Sequence, residues 1–194
     1  MKEALVMNQY LDAGKGLKKM FIAQIGAIAC TVLAAIPIVG LIGGVGAIVF
    51  AVVSMIGLYQ AGKDIGGCRT AFILTLIDVI LSVISGLISS SVVTAGIFSI
   101  VDSILSFLVV YYVCLSVAEV MTGIGANDVA QKGTTVWKVN LGCMIAIIVI
   151  SVCSVIPGVN VIAALASIVV AVVSIVAAVL FMIFLNKSYH ALGA

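Results

Sequence analysis

Asp78 and Asp102 are the residues of this chain best placed to do chemistry. Each carboxyl group stands inside an otherwise apolar stretch, where an ionisable side chain costs a few kcal/mol or more and marks a candidate for proton or ion handling. Around Asp78, the residues Thr75, Ser82, Ser85 and Ser89 follow at steps of three and four, which is one continuous stripe along a helix. Ser99, Asp102, Ser103 and Ser106 make a second stripe of the same kind. Neither suits contact with lipid. Hydroxyls in such stripes either bond to the carbonyl one turn back and glue helices together, or line a path for a proton, a cation or a small solute. The candidate seam comprises Asp78, Asp102, Thr75, Ser82, Ser85, Ser103 and Ser106.

At about 1.5 Å per residue, Asp78 stands roughly 13 Å in from Arg69, and Asp102 roughly 6 to 10 Å further toward the far side. This count predicts the two ends of a seam, bridged by water, a cation or a small ligand, rather than two carboxyls sharing one proton. Other chemistry is thin. The five cysteines, Cys30, Cys68, Cys114, Cys143 and Cys153, are odd in number and lack a C-x-x-C pair, so they give neither a disulfide framework nor a metal site. They read as small apolar packing residues, with palmitoylation chemically open to Cys68 and Cys114 near the membrane boundary. Gly123 and Gly125 do not complete a phosphate-binding loop. His190, the only histidine, lies in the tail. No nucleophile has a base at a telling spacing, so the chain reads as a non-enzyme without cofactor.

The elements that carry the seam follow from composition. With 64% hydrophobic and 8% charged residues, the chain reads as an integral membrane protein. Six stretches are long enough to cross a hydrocarbon core of ~30 Å: Met20 to Ile38, Gly43 to Gln60, Ala71 to Ser91, Ile97 to Met121, Leu141 to Pro157, and Val161 to Leu185. They lack a period of two, which predicts an all-α, polytopic protein rather than a barrel. Lys2, Lys15, Lys18 and Lys19 precede the first stretch, Lys63 and Arg69 follow the second, Lys132 and Lys138 follow the fourth, and Lys187 follows the sixth. All basic residues therefore fall on one side, which places both termini in the cytoplasm. The net charge of +2 is a topology signal and gives no support to nucleic-acid binding.

Residues 1–19 read as an interfacial segment in which Val6, Tyr10 and Leu17 share one face and lysines meet lipid headgroups. Beyond it the chain repeats. A shift of about 120 residues lays Ile36, Pro37, Val39 and Ile42 on Ile156, Pro157, Val159 and Ile162, and the run 51–54 on 171–174. A shift of about 51 lays Phe21 and Ile22 on Phe72 and Ile73, with Lys18, Arg69 and Lys138 equivalent. One extra residue then brings Ser54, Ser106 and Ser174 into register, and Tyr59 onto Tyr111. A single membrane domain over 1–194 is thus expected, with hairpin repeats at 20–62, 70–121 and 138–186 in a pseudo-threefold bundle. In this alignment Asp78 matches Ala27 and Ile147, and Asp102 matches Phe50 and Val170. Only the middle hairpin is polar at these positions.

The segments Gly57–Asp64, Ala71–Ser82 and Gln131–Asn140 resemble an uncharacterised family of small six-helix membrane proteins of clostridial-type bacteria. The resemblance implies a multi-pass location in the bacterial cytoplasmic membrane and carries over no functional residues. From the sequence, the favoured function is a non-enzymatic structural or accessory membrane protein that associates with itself or with another membrane protein, with lipids as its surroundings. The alternative is a small transporter or channel for a proton, cation or small solute, using the polar seam of the third and fourth helices.

Overall fold

Backbone amides left unpaired in hydrocarbon cost several kcal/mol each, and helices satisfy them within one segment. The computed structural model, which describes residues 10–34, 40–88, 92–154 and 160–194, is helical along nearly all of that length. The helices are α1 (Leu11–Ala34), α2 (Gly40–Ala61), α3 (Gly66–Ile88), α4 (Val92–Gly123), α5 (Asn127–Ser154) and α6 (Asn160–Ala191). Five of them, α2 to α6, are long and apolar enough to cross a membrane. In α1 the apolar run begins only at Met20, after Asp12, Lys15, Lys18 and Lys19.

Two boundaries differ from the sequence reading. Helix α5 starts at Asn127 and runs unbroken through Leu141. Polar residues such as Gln131, Lys132 and Asn140 lower the hydropathy of this stretch without interrupting its backbone. Residues 11–19 are likewise the first turns of α1, and Leu17 is fully buried in the core rather than lying on the apolar face of a separate interfacial segment. Val6, Ser89 and the connections bearing Pro37 and Pro157 lie outside the described residues.

Turn chemistry explains why the helices reverse where they do. After α4, Gly125 takes a φ of 84°, which an L side chain rarely adopts. The Ala126 N–H then donates to the Met121 carbonyl at 2.8 Å and the Gly125 N–H to that of Thr122 at 3.1 Å, closing the helix end before α5 begins. Between α2 and α3, the backbone reverses in a tight turn at Gly62–Ile65, and the Asp64 carboxylate accepts from the Ala13 N–H in the first turn of α1 at 2.8 Å. A side chain from a separate element thus caps α1. Lys19 donates to Gln60 at 2.7 Å, and Gln60 in turn donates to Asp12 at 3.3 Å.

Each helix packs on its neighbours in sequence, and α6 packs back on α1, closing a ring. The join between α2 and α3 is the thinnest in that ring. Successive helices run in opposite directions, so the basic residues gather at one end, called here the basic end. The main buried cluster draws its members from 13–20, 58–71, 113–136 and 181–192, all at this end. Phe184, Leu17, Leu58, Met121 and Leu185 are its largest fully buried side chains. Cys68 and Cys114 belong to it at 0% exposure, so neither thiol is presented to an acyl donor.

Around the basic end, the three joins between hairpins share one composition. An aromatic pair occupies each: Tyr59 on Phe72 (5.5 Å between ring centres) across α2–α3, Tyr111 on Trp137 (5.5 Å) across α4–α5, and Tyr189 on Phe21 (5.7 Å) across α6–α1. A lysine accompanies each pair, with Lys63 5.8 Å from Tyr59, Lys138 5.9 Å from Trp137 and Lys18 5.8 Å from Tyr189. Within each hairpin a glycine allows close approach. A Cβ on Gly16 would lie 2.5 Å from the Gly57 carbonyl oxygen, one on Gly67 would strike Ser116, and one on Gly133 would lie 2.9 Å from the Phe184 ring.

Candidate functional site

The hairpin of α3 and α4 brings Asp78 and Asp102 together. Asp78 stands ten positions before Ile88, and Asp102 ten positions after Val92. In an antiparallel hairpin, positions equidistant from the turn lie level, here about 15 Å from the far ends of the two helices. The two carboxyls lie near enough for each to feel the other's charge. This corrects the depth count made from the sequence, which set Asp102 beyond Asp78. Helix α4 extends well past α3 at the basic end, with 32 residues against 23, so counting from that end misplaced its aspartate.

Asp78 Oδ1 is buried and has no hydrogen-bond partner among the described residues. Ionised carboxylates only accept hydrogen bonds. Two of them held near one another repel, which favours a proton on one or a cation between them. No group of three or more His, Cys, Asp or Glu that could hold a metal ion occurs among the described residues.

Asp102 also lines two clefts. The first, of about 310 Å³, opens between α3 and α4 on the side away from the basic end and is lined by Leu81, Ser82, Ser85, Phe98, Ser99 and Asp102. The second, of about 220 Å³, lies between α4, α5 and α6 toward the basic end; its polar lining is Asp102, Ser103, Ser106, Asn140, Cys143 and Ser174. Polar atoms thus continue on both sides of one carboxyl. Below the second cleft, α4 continues into Val113, Cys114 and Val117, all at 0% exposure. The packed basic end forms its floor.

The other predicted seam residues differ in whether they line a cleft. Thr75 Oγ1 donates to the Ala71 carbonyl at 2.9 Å, the structural use of such a hydroxyl, and it lines neither cleft. Ser103 also bonds one turn back, to the Ser99 carbonyl at 2.7 Å, yet lines the second cleft. Ser82 and Ser85 line the first cleft and Ser106 the second. Asn140 and Ser174 were not among the predicted site residues. The Asn140 side-chain amide donates to the Val136 carbonyl at 3.0 Å. Ser174 carried a signal in its repeat register with Ser106, whereas Asn140 stood at the margin of its apolar stretch and carried none.

Comparison with protein-family models, with curated proteins and with solved structures finds no match. The chemistry of the site is read from its own geometry: two carboxyls on facing helices, one of which, Asp102, lines a polar cleft on either side.

Proposed function

We propose that this chain is a non-enzymatic transporter or channel of the bacterial cytoplasmic membrane that passes a proton or a monovalent cation, with a small polar solute as the wider class. The observation that carries the reading is Asp102, which faces Asp78 while lining both clefts. Intramembrane carboxyls that pair with one another and face water-filled cavities are the usual furniture of ion and proton pathways. A carrier that takes up its ion from the first cleft must release it into the second, and Asp102 is the group common to both. The buried basic end then acts as the closed barrier of this conformation.

Both termini and the lysine-bearing turns lie in the cytoplasm in this reading, since every basic residue among the described ones gathers at one end. The three hairpins are repeats around a central axis. The aromatic pair and lysine at each join, and the glycine within each hairpin, support that arrangement.

In proteoliposomes under an imposed potential, the parent chain is expected to move protons or a monovalent cation, and Asp78→Asn and Asp102→Asn each to fall to the level of empty vesicles. Unchanged flux in both variants, or no flux in the parent, overturns the proposal. A second reading, self-association as an accessory protein, is favoured by Gly44 and Gly142, which meet nothing within 4 Å. Such faces let a helix of another copy approach closely. Native mass spectrometry in mild detergent separates the two, because self-association predicts an oligomer whether or not ions move.

A further inference from the structure

At the basic end two joins open into grooves among the described residues: that of α4 and α5, where a groove of about 670 Å³ is lined by the carboxylate of Glu119, and that of α2 and α3. Tyr189 in the α6–α1 join is 8% exposed, whereas its counterpart Tyr59 is 59% exposed. The α2–α3 groove, of about 480 Å³, is lined by Tyr59, Gly62, Lys63, Arg69, Phe72 and Ile73. Two cations line it and no carboxylate does. The one acidic residue in the turn, Asp64, is engaged with the Ala13 N–H. The floor is set by backbone, since a Cβ on Gly62 would lie 2.9 Å from Arg69 Cα. From Ile73 the exposed residues Ile77 and Ile80 continue along α3 at steps of four and three, one apolar stripe running from the groove into the depth of the bilayer.

We infer that the α2–α3 groove is a binding site for an anionic phospholipid, with the headgroup phosphate on Lys63 and Arg69 and an acyl chain along Ile73, Ile77 and Ile80. Charge complementarity selects the headgroup. Arg presents a planar fork of donors that matches phosphate oxygens, and Lys adds a mobile point charge. The aromatic pair beneath them sits at the membrane boundary, where amphipathic rings are favoured. A basic pocket between membrane helices is the arrangement that binds such headgroups. The lipid would complete the join that protein contacts leave thin, and its site is separate from the carboxyl seam.

The test is native mass spectrometry of the full chain in neutral detergent, titrated with phosphatidylglycerol or phosphatidylcholine. The parent is expected to retain phosphatidylglycerol in preference to phosphatidylcholine. Lys63→Ala with Arg69→Ala should weaken that binding about thirtyfold, roughly fivefold for each cation removed. Lys132→Ala with Lys187→Ala takes two charges from the same end away from the groove and should change it by less than about twofold. Lys63→Gln with Arg69→Gln, which keeps much of the side-chain length, guards against loss of folding and should match the alanine pair. Equal binding of the two lipids, parent-like binding in the groove variants, or an equal loss in the distant pair overturns the proposal. Displacement of the lipid by millimolar inorganic phosphate would assign the groove to free phosphate instead.

Discussion

The first and middle hairpins, which align with one another in sequence, are packed differently. In α1–α2 the Phe50 ring lies directly over Gly26, and the Cys30 thiol over Gly46, where a Cβ would come within 2.6 Å of the sulfur. Together with Gly16 and Gly57, these contacts fit the two helices along their length. In α3–α4 the repeat alignment puts Asp102 where Phe50 stands and Asp78 where Ala27 stands. Two carboxyls lie near each other there, and clefts open beside Asp102. An aromatic ring over glycine closes a hairpin, and a carboxyl pair among serines leaves it open. Under the proposed function, packing stability and ion movement fall to different hairpins of one molecule.

The contrast breaks most severely by moving the charge. Phe50→Asp removes the ring over Gly26 and buries a carboxyl where the first hairpin has no facing partner for it; a charge at mid-membrane alone costs about 2.5–3.5 kcal/mol. Thermal unfolding in detergent should show the largest loss of stability here, and a parent-like melting temperature would contradict the account. Gly57→Leu comes next. A Cβ there would lie 2.7 Å from the Gly16 carbonyl oxygen, so overpacking should cost about 1–3 kcal/mol. Asp64→Ala is smaller, removing the cap on α1 at about 1 kcal/mol. Amide exchange should localise that change to the first turn of α1.

Much of this was legible in the sequence, and the missing part has a physical origin. The apolar stretches and the two polar stripes are periodic features of single helices, so Asp78, Ser82, Ser85, Asp102 and Ser106 could be picked out without a partner in view. Facing is a property of pairs of helices. The nearness of Asp78 and Asp102 follows from equal distances to the α3–α4 turn, a count obscured by the greater length of α4 at the basic end. Asn140 and Ser174 join the second cleft only once α4, α5 and α6 are packed together. The position of the core was also hidden, because hydropathy is high along every span while burial concentrates at the basic end. Close packing there depends on glycines and aromatic pairs, which hydropathy does not weigh.

Flux and melting temperature measured on one preparation of Asp102→Asn test the central claim most directly. The account predicts flux at the level of empty vesicles with a melting temperature equal to or above that of the parent, since the substitution relieves the repulsion between two carboxyls and leaves the packed hairpin and the basic end untouched. Parent-like flux would remove Asp102 from the pathway. A fall in melting temperature like that of Gly57→Leu would make the pair a structural element instead.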